Sequence, residues 1–211
     1  MQLPVFSHGE FFYYQQFSAM NTSEQLLITG QKLFGKLGIK AVTVDDLCND
    51  LPISKKTFYK LYDDKKEFVL EVMRYSIKQL KRELIACRRN CDNAIEMLFA
   101  QQDILSGFYE MRPLFDPEFL ELCPKAVRLI ISFREVFLAA GIERNLREGV
   151  AAGLYQEAFD LKEVTKAFLL LIDILLLTKG PDKAAAKGAL MIFINGITTS
   201  CGRALLMQIR G

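Results

Sequence analysis

Two helix-capping signals stand eleven residues apart around a proline, and no other stretch limits the fold of this chain so tightly. Thr43-Val44-Asp45-Asp46 resembles a capping box, with Asp in place of the preferred Glu three residues on. Val44, Leu47 and Leu51 give the helix that follows one apolar stripe, and Pro52 forces the residue before it out of helical geometry. Ser54 then caps a second short helix, Lys55-Lys56-Thr57-Phe58-Tyr59-Lys60, in which Phe58 points inward. A helix precedes the pair: Leu26, Leu27, Gly30, Leu33, Phe34 and Leu37 recur at three- and four-residue spacing until Gly38 stops it, behind an N-cap chosen from Asn21, Thr22 and Ser23. A long helix follows, capped by Asp63 or Asp64, with Phe68, Val72, Tyr75 and Leu80 inside. Two short helices joined by a tight turn and packed on a third form a helix-turn-helix.

Beyond residue 90 every segment reads as helix. The spacing predicts helices over about 91–110, after Pro117, from Pro124 to Gly149, after Asp160, and from Asp182 to Gln208. No stretch alternates convincingly at period two, so the fold class is all-α. The longest apolar run, Ala167 to Leu177, is broken by Asp173 and is too short to span a bilayer. The start lacks the basic and apolar regions of a secretory signal, so the expectation is a cytoplasmic protein with no membrane partner. Residues 1–20 differ from the rest: Phe11-Phe12-Tyr13-Tyr14 is aromatic and uncharged, and Met20 has the look of a second start. This segment is expected to be a dispensable extension, with an arm that packs on the body or reaches a partner as the alternative.

Composition removes several kinds of chemistry. Among 211 residues there is one histidine, His8, so a multi-histidine metal site is impossible and a catalytic triad would have to be built near the N-terminus. No cofactor or metal is expected. Scattered acids such as Glu143, Glu148 and Asp173 form no pair at a catalytic spacing, which leaves an all-α enzyme as the weakest reading. The five cysteines are scattered and odd in number, as reduced thiols would be; Cys87 and Cys91, four apart, share a helix face. The formal net charge of +2 excludes a uniformly basic, nonspecific binder of polyanions.

That small total hides a local excess. Within 51–66, Lys55, Lys56, Lys60, Lys65 and Lys66 face only Asp63 and Asp64, so the densest positive charge falls on the second short helix. Phosphates favour Lys and free helix-end amides, while base edges favour hydrogen-bonding side chains such as Thr, Tyr and Lys. The order of residues sharpens this. Leu33-Phe34, Gly38-Ile39, Val42-Thr43-Val44-Asp45-Asp46-Leu47, Ile53-Ser54-Lys55-Lys56-Thr57-Phe58-Tyr59, Tyr62, Lys65, Glu67 and Phe68 together resemble the DNA-binding domain of the tetracycline-repressor (TetR) family. The chain departs from the family pattern at Cys48, Leu51 and Pro52. Residues 143–161 match more loosely the segment joining two long C-terminal helices.

The resemblance implies a three-helix DNA-binding head over 21–68 and a larger helical body over 69–211 for effector binding and dimerisation. It implies that Thr43 contacts a phosphate, that Ser54, Lys55, Lys56, Thr57, Tyr59 and Lys60 belong to the surface facing the major groove or its flanking phosphates, and that Lys65 clamps another phosphate. It further implies a homodimeric repressor, released from near-palindromic double-stranded operator DNA by a small-molecule effector. Phe108, Tyr109, Phe115, Phe133 and Phe137 are candidate pocket walls or ordinary core. Arg134 and Asp173 are candidate ligand contacts or an ion pair. Gly188, Ile192, Gly196, Thr199 and Leu206 line one side of the last helix, either as a dimer face or as packing within the subunit. An alternative keeps the head but senses oxidants through Cys87, Cys91 or Cys123.

Overall fold

The computed structural model describes residues 20–107, 121, 123–177 and 183–209. The described residues form ten α-helices: α1 (Thr22–Leu37), α2 (Val44–Asp50), α3 (Lys55–Leu61), α4 (Lys65–Cys87), α5 (Ala94–Gly107), α6 (Pro124–Ser132), α7 (Ala139–Ala151), α8 (Leu161–Leu177), α9 (Lys183–Ile197) and α10 (Ser200–Ile209). They divide into two compact units, one running through Ser76 together with residues 121 and 123, the other taking in the remainder from Ile77. The aromatic stretch of the N-terminal extension and the helix expected after Pro117 lie outside the described residues.

The N-terminal unit is built on caps. Asn21 Oδ1 accepts from the Glu24 amide at 3.0 Å to start α1, and Gly38 ends it at φ 85°, a left-handed conformation open to glycine. Both halves of the expected box open α2: the Asp46 amide donates to Thr43 Oγ1 at 3.1 Å, and the Thr43 amide donates to Asp46 Oδ2 at 2.8 Å. Asp64 Oδ1 caps α4 by accepting from the Glu67 amide at 2.7 Å, while Glu67 reaches back to the Asp63 amide at 2.7 Å. The turn between α2 and α3 needs no glycine. Leu51 is extended (φ −110°), its amide donates to Leu47 O at 3.1 Å, and Pro52 sits exposed on the outside.

Inside this unit Phe34, Phe58 and Phe68 are fully buried. Phe68 meets Phe34 at 5.9 Å, Phe58 at 5.2 Å and Tyr62 at 4.9 Å between ring centroids, all tilted or edge-on. Burying one such ring contributes about 1.5–3 kcal/mol, and each well-oriented pair adds about 0.5–1.5 kcal/mol. Gly30 lets α1 approach this cluster, since a Cβ there would lie 2.7 Å from Phe68 Cζ. Tyr75 and Leu37, both expected inside, are half-buried and exposed respectively.

The C-terminal unit packs α5, α7, α8, α9 and α10 around a core that includes Ile95, Leu98, Leu146, Leu190 and Ile194. Two expectations are corrected here. The helix expected from Pro124 to Gly149 continues to Ala151, and a π-helical turn over Phe133–Leu138 interrupts it. The last helix is two helices, because the chain breaks at Thr198–Thr199 to meet the loop after α7. Gln156 N donates to Ile197 O at 2.9 Å, Thr199 N donates to Leu154 O at 3.0 Å, and Thr199 Oγ1 donates to Gly153 O at 2.7 Å while accepting the Gly202 amide at 3.1 Å. Tyr155 and Thr198 form an isolated antiparallel bridge. A completely buried Asn145 holds the same corner, donating from Nδ2 to Ala94 O at 2.8 Å and accepting from Tyr155 Oη at 3.3 Å. Among the described residues no helix is long and apolar enough to cross a membrane.

Candidate nucleic-acid interface

Phe58 anchors α3. Its burial turns the rest of that short helix outward, leaving Ser54, Lys55, Lys56, Tyr59 and Lys60 exposed and Thr57 half-buried. Tyr59 shows 53% of its surface, its ring edge-on to Phe58 at 5.3 Å. Ser54 Oγ accepts from the Thr57 amide at 3.1 Å, and the two hydroxyls share a further bond of 2.9 Å. The first turn of α3 is thereby fixed before any partner arrives.

The cations on this surface are not equivalent. Lys55 Nζ lies 2.7 Å from Asp45 Oδ1, a bond between α2 and α3 that raises the lysine's pKa above its ordinary value. The pair is exposed on both sides, so it orients Lys55 more than it stabilises the fold. Lys56 and Lys60, four residues apart on α3, appear in no ion pair among the described residues. Lys65 turns inward: its ammonium donates to Ile39 O at 2.5 Å, and burial pulls its pKa down against the opposing pull of Asp46. Thr43 Oγ1 is also engaged, donating to Asp46 Oδ2 at 2.7 Å, which holds the Asp46 carboxyl below its ordinary range. The structure therefore gathers Ser54, Lys55, Lys56, Thr57, Tyr59 and Lys60 on one short helix and its cap, and engages Thr43 with Asp46 and Lys65 with Ile39 O. Two partners have no local signature in the sequence: Asp45, named there only within the capping stretch, pairs with Lys55, and Ser23, named only as an N-cap candidate, meets Tyr62 Oη with its hydroxyl at 2.9 Å.

In the C-terminal unit a small cleft with a cavity volume of about 20 Å³, room for about one water, lies among α4, α5, the π turn, α7 and α8. Phe137 lines it, and Phe133 is buried behind, stacked on Phe137 at 5.7 Å. Leu84, Gln101, Leu105, Gly141, Phe168 and Ile172 complete most of the wall and were not singled out by an aromatic-weighted reading. Phe108, Tyr109 and Phe115 lie outside the described residues. Arg134 is an ion-pair partner: Nε and Nη2 grip Asp173 at 3.0 and 2.6 Å, and Nη1 meets Glu135.

The stripe on the last two helices splits. Ile192 is 78% exposed and Gly196 is exposed, Gly188 and Thr199 are half-buried, and Leu206 is 4% exposed within its own unit's core. Cys87 and Cys91 are half-buried; each thiol donates to a backbone carbonyl, Leu84 O and Cys87 O, and burial pushes both pKa values up. Cys123 is buried.

No protein-family profile matches the chain, and no curated protein does. Solved structures do. A TetR-family transcriptional regulator from Marinobacter aquaeolei VT8 superposes with a TM-score of 0.73 at 18% identity, over 90% of this chain and 98% of the other. The chain has the fold of the TetR-family regulators. A second structure with this fold, a TetR-family regulator from Agrobacterium tumefaciens, gives 0.70 at 15% identity over 84% and 97% of the two chains. The ketosteroid transcriptional regulator KstR2 of Mycobacterium tuberculosis gives 0.58 at 18% identity over 85% and 96%. The TetR-family fold thus spans both units, not only the stretch with the recognisable motif.

Proposed function

We propose that this chain is a DNA-binding transcriptional regulator, acting as a homodimeric repressor whose release from DNA is set by a small-molecule effector. The observation that carries this reading is the exposed face of α3. Phe58 anchors the helix, Ser54 and Thr57 fix its start, and Lys56, Tyr59 and Lys60 stand free on a unit with the TetR-family fold. Lysines of this kind neutralise phosphates, and the hydroxyl and ammonium groups offer hydrogen bonds to base edges in a major groove. Thr43 takes part through the start of α2, and Lys65 by fixing the turn after α1, a change from the phosphate contact that resemblance implies.

A second copy fits the same reading. Helix-turn-helix dimers place two recognition helices about one DNA turn, roughly 34 Å, apart. The exposed Ile192 and Gly196 on α9 supply an apolar, closely approachable face for the partner, which Leu206 does not. Thiols at Cys87 and Cys91 that donate to backbone carbonyls and are pushed up in pKa by burial give no support to oxidant sensing.

Selection of bound sequences from a random duplex library tests the proposal. The expected product is a near-palindrome with half-sites one helical turn apart. Recovery of no consensus would count against it.

A further inference from the structure

The exposed face of α3 offers a narrow set of hydrogen-bonding groups, and the set is biased. Between Lys55 and Leu61 there is no Asn, Gln, Arg, Asp or Glu. Asn and Gln are the side chains that bond adenine N6 and N7 together, and Asp and Glu are those that accept from cytosine N4. The hydroxyls of Ser54 and Thr57 bond each other at 2.9 Å, and Lys55 is held at 2.7 Å by Asp45, the carboxylate that reaches α3 from α2. Lys56 and Lys60 remain, exposed and in no ion pair among the described residues. An ammonium only donates. In the major groove the base edge with two acceptors side by side is that of guanine, N7 and O6. Adenine puts its N6 donor where guanine has O6, so an ammonium that gains two bonds on one base meets a donor on the other. Tyr59, on the same face, both donates and accepts through its hydroxyl and adds no preference of this kind. Spacing adds a second constraint. Lys56 and Lys60 stand one helical turn apart, about 6 Å along the axis. Stacked base pairs rise about 3.4 Å each, so two steps cover about 7 Å. A helix lying along the groove therefore sets its two unpaired ammoniums over base pairs that flank a single third pair.

We propose that each DNA half-site carries two G·C pairs separated by one base pair, one guanine read by Lys56 and the other by Lys60. This rests on α3 as the helix that enters the major groove, and it names the bases that the helix selects there. The two lysines are then specificity-determining, because their ammoniums accept the paired acceptors of guanine and no other base edge offers them.

Fluorescence anisotropy of the full chain on duplexes selected from a random library tests it. The selected consensus should hold the two G·C pairs in each half. Changing either one to A·T should weaken binding at least about fivefold, the low end for one lost two-acceptor contact. Lys60→Met, which keeps the apolar stem, should erase the penalty at one of these positions and leave it at the other, and Lys56→Met should do the reverse. Both variants should keep the melting temperature, since both side chains are exposed. The proposal is overturned if the consensus lacks the two G·C pairs. It is overturned equally if each lysine variant loses the same factor on the G·C and A·T duplexes, with a salt slope smaller by about 1, the behaviour of a phosphate contact. A consensus without the two pairs removes this assignment and leaves the DNA-binding function standing. Selection of no duplex removes both.

Discussion

Gly149 and Gly141 share α7 and should respond oppositely to the same methyl group. At Gly149 a Cβ would run into the ring of Tyr155, whose hydroxyl bonds the buried Asn145, so the ring has no easy escape. Gly149→Ala is expected to cost about 3 kcal/mol, the upper range for overpacking. Gly141→Ala meets open space and should stabilise by up to about 1 kcal/mol, the helix-propensity difference. Thermal denaturation of the two variants checks both signs. On the proposed DNA-binding surface the corresponding pair is Lys55 and Asp45. Asp45→Asn frees an ammonium for phosphate while removing only an exposed ion pair, so it should tighten DNA binding about threefold with stability unchanged. Fluorescence anisotropy with labelled duplex measures that change.

The helix boundaries of the N-terminal unit were legible because each is written locally. Asn21, Thr43, Ser54 and Asp64 are caps whose partners lie three residues away, and Gly38 and Pro52 stop helices by their own backbone limits. What was not legible depends on distant partners. Lys65 looked like one more phosphate contact, but its ammonium is bonded to Ile39 O, twenty-six residues away. Lys65→Met should therefore lower stability by about 1 kcal/mol, the worth of a part-exposed charge-assisted bond, whereas Lys60→Met should leave the melting temperature unchanged. The break between α9 and α10 escaped for the same reason: Thr198-Thr199 reads as tolerable helix until the Gly153–Gln156 loop offers it hydrogen bonds. Gly202 confirms the cause, since a Cβ there would strike Leu154 O. The π turn at Phe133–Leu138 carries no pattern of its own; it coincides with the reach of Arg134 to Asp173. Of the aromatic residues chosen as pocket walls only Phe137 lines the cleft among the described residues, with Phe133 stacked on it, and Phe168, Gly141 and Gln101 were missed, because a cleft is defined by where side chains stop rather than by which are large.

The molecule joins an apolar helical body to a head in which three lysines stand on one short helix. In the proposed homodimer the exposed Ile192 of α9 is a contact between subunits, and Ile192→Arg should convert dimer to monomer in sedimentation and abolish tight DNA binding while each subunit stays folded. Six to eight phosphate contacts per dimer would give a slope of about −5 to −7 for log affinity against log salt. The most direct measurement is the affinity of the full chain for its selected duplex, before and after Lys56→Ala combined with Tyr59→Ala. Both side chains are exposed, so the double variant should keep the melting temperature and lose affinity at least about thirtyfold, the lower end of the sum of two contacts worth about 1–3 kcal/mol each. Unchanged affinity in a folded double variant would contradict the assignment of α3 as the helix that reads DNA.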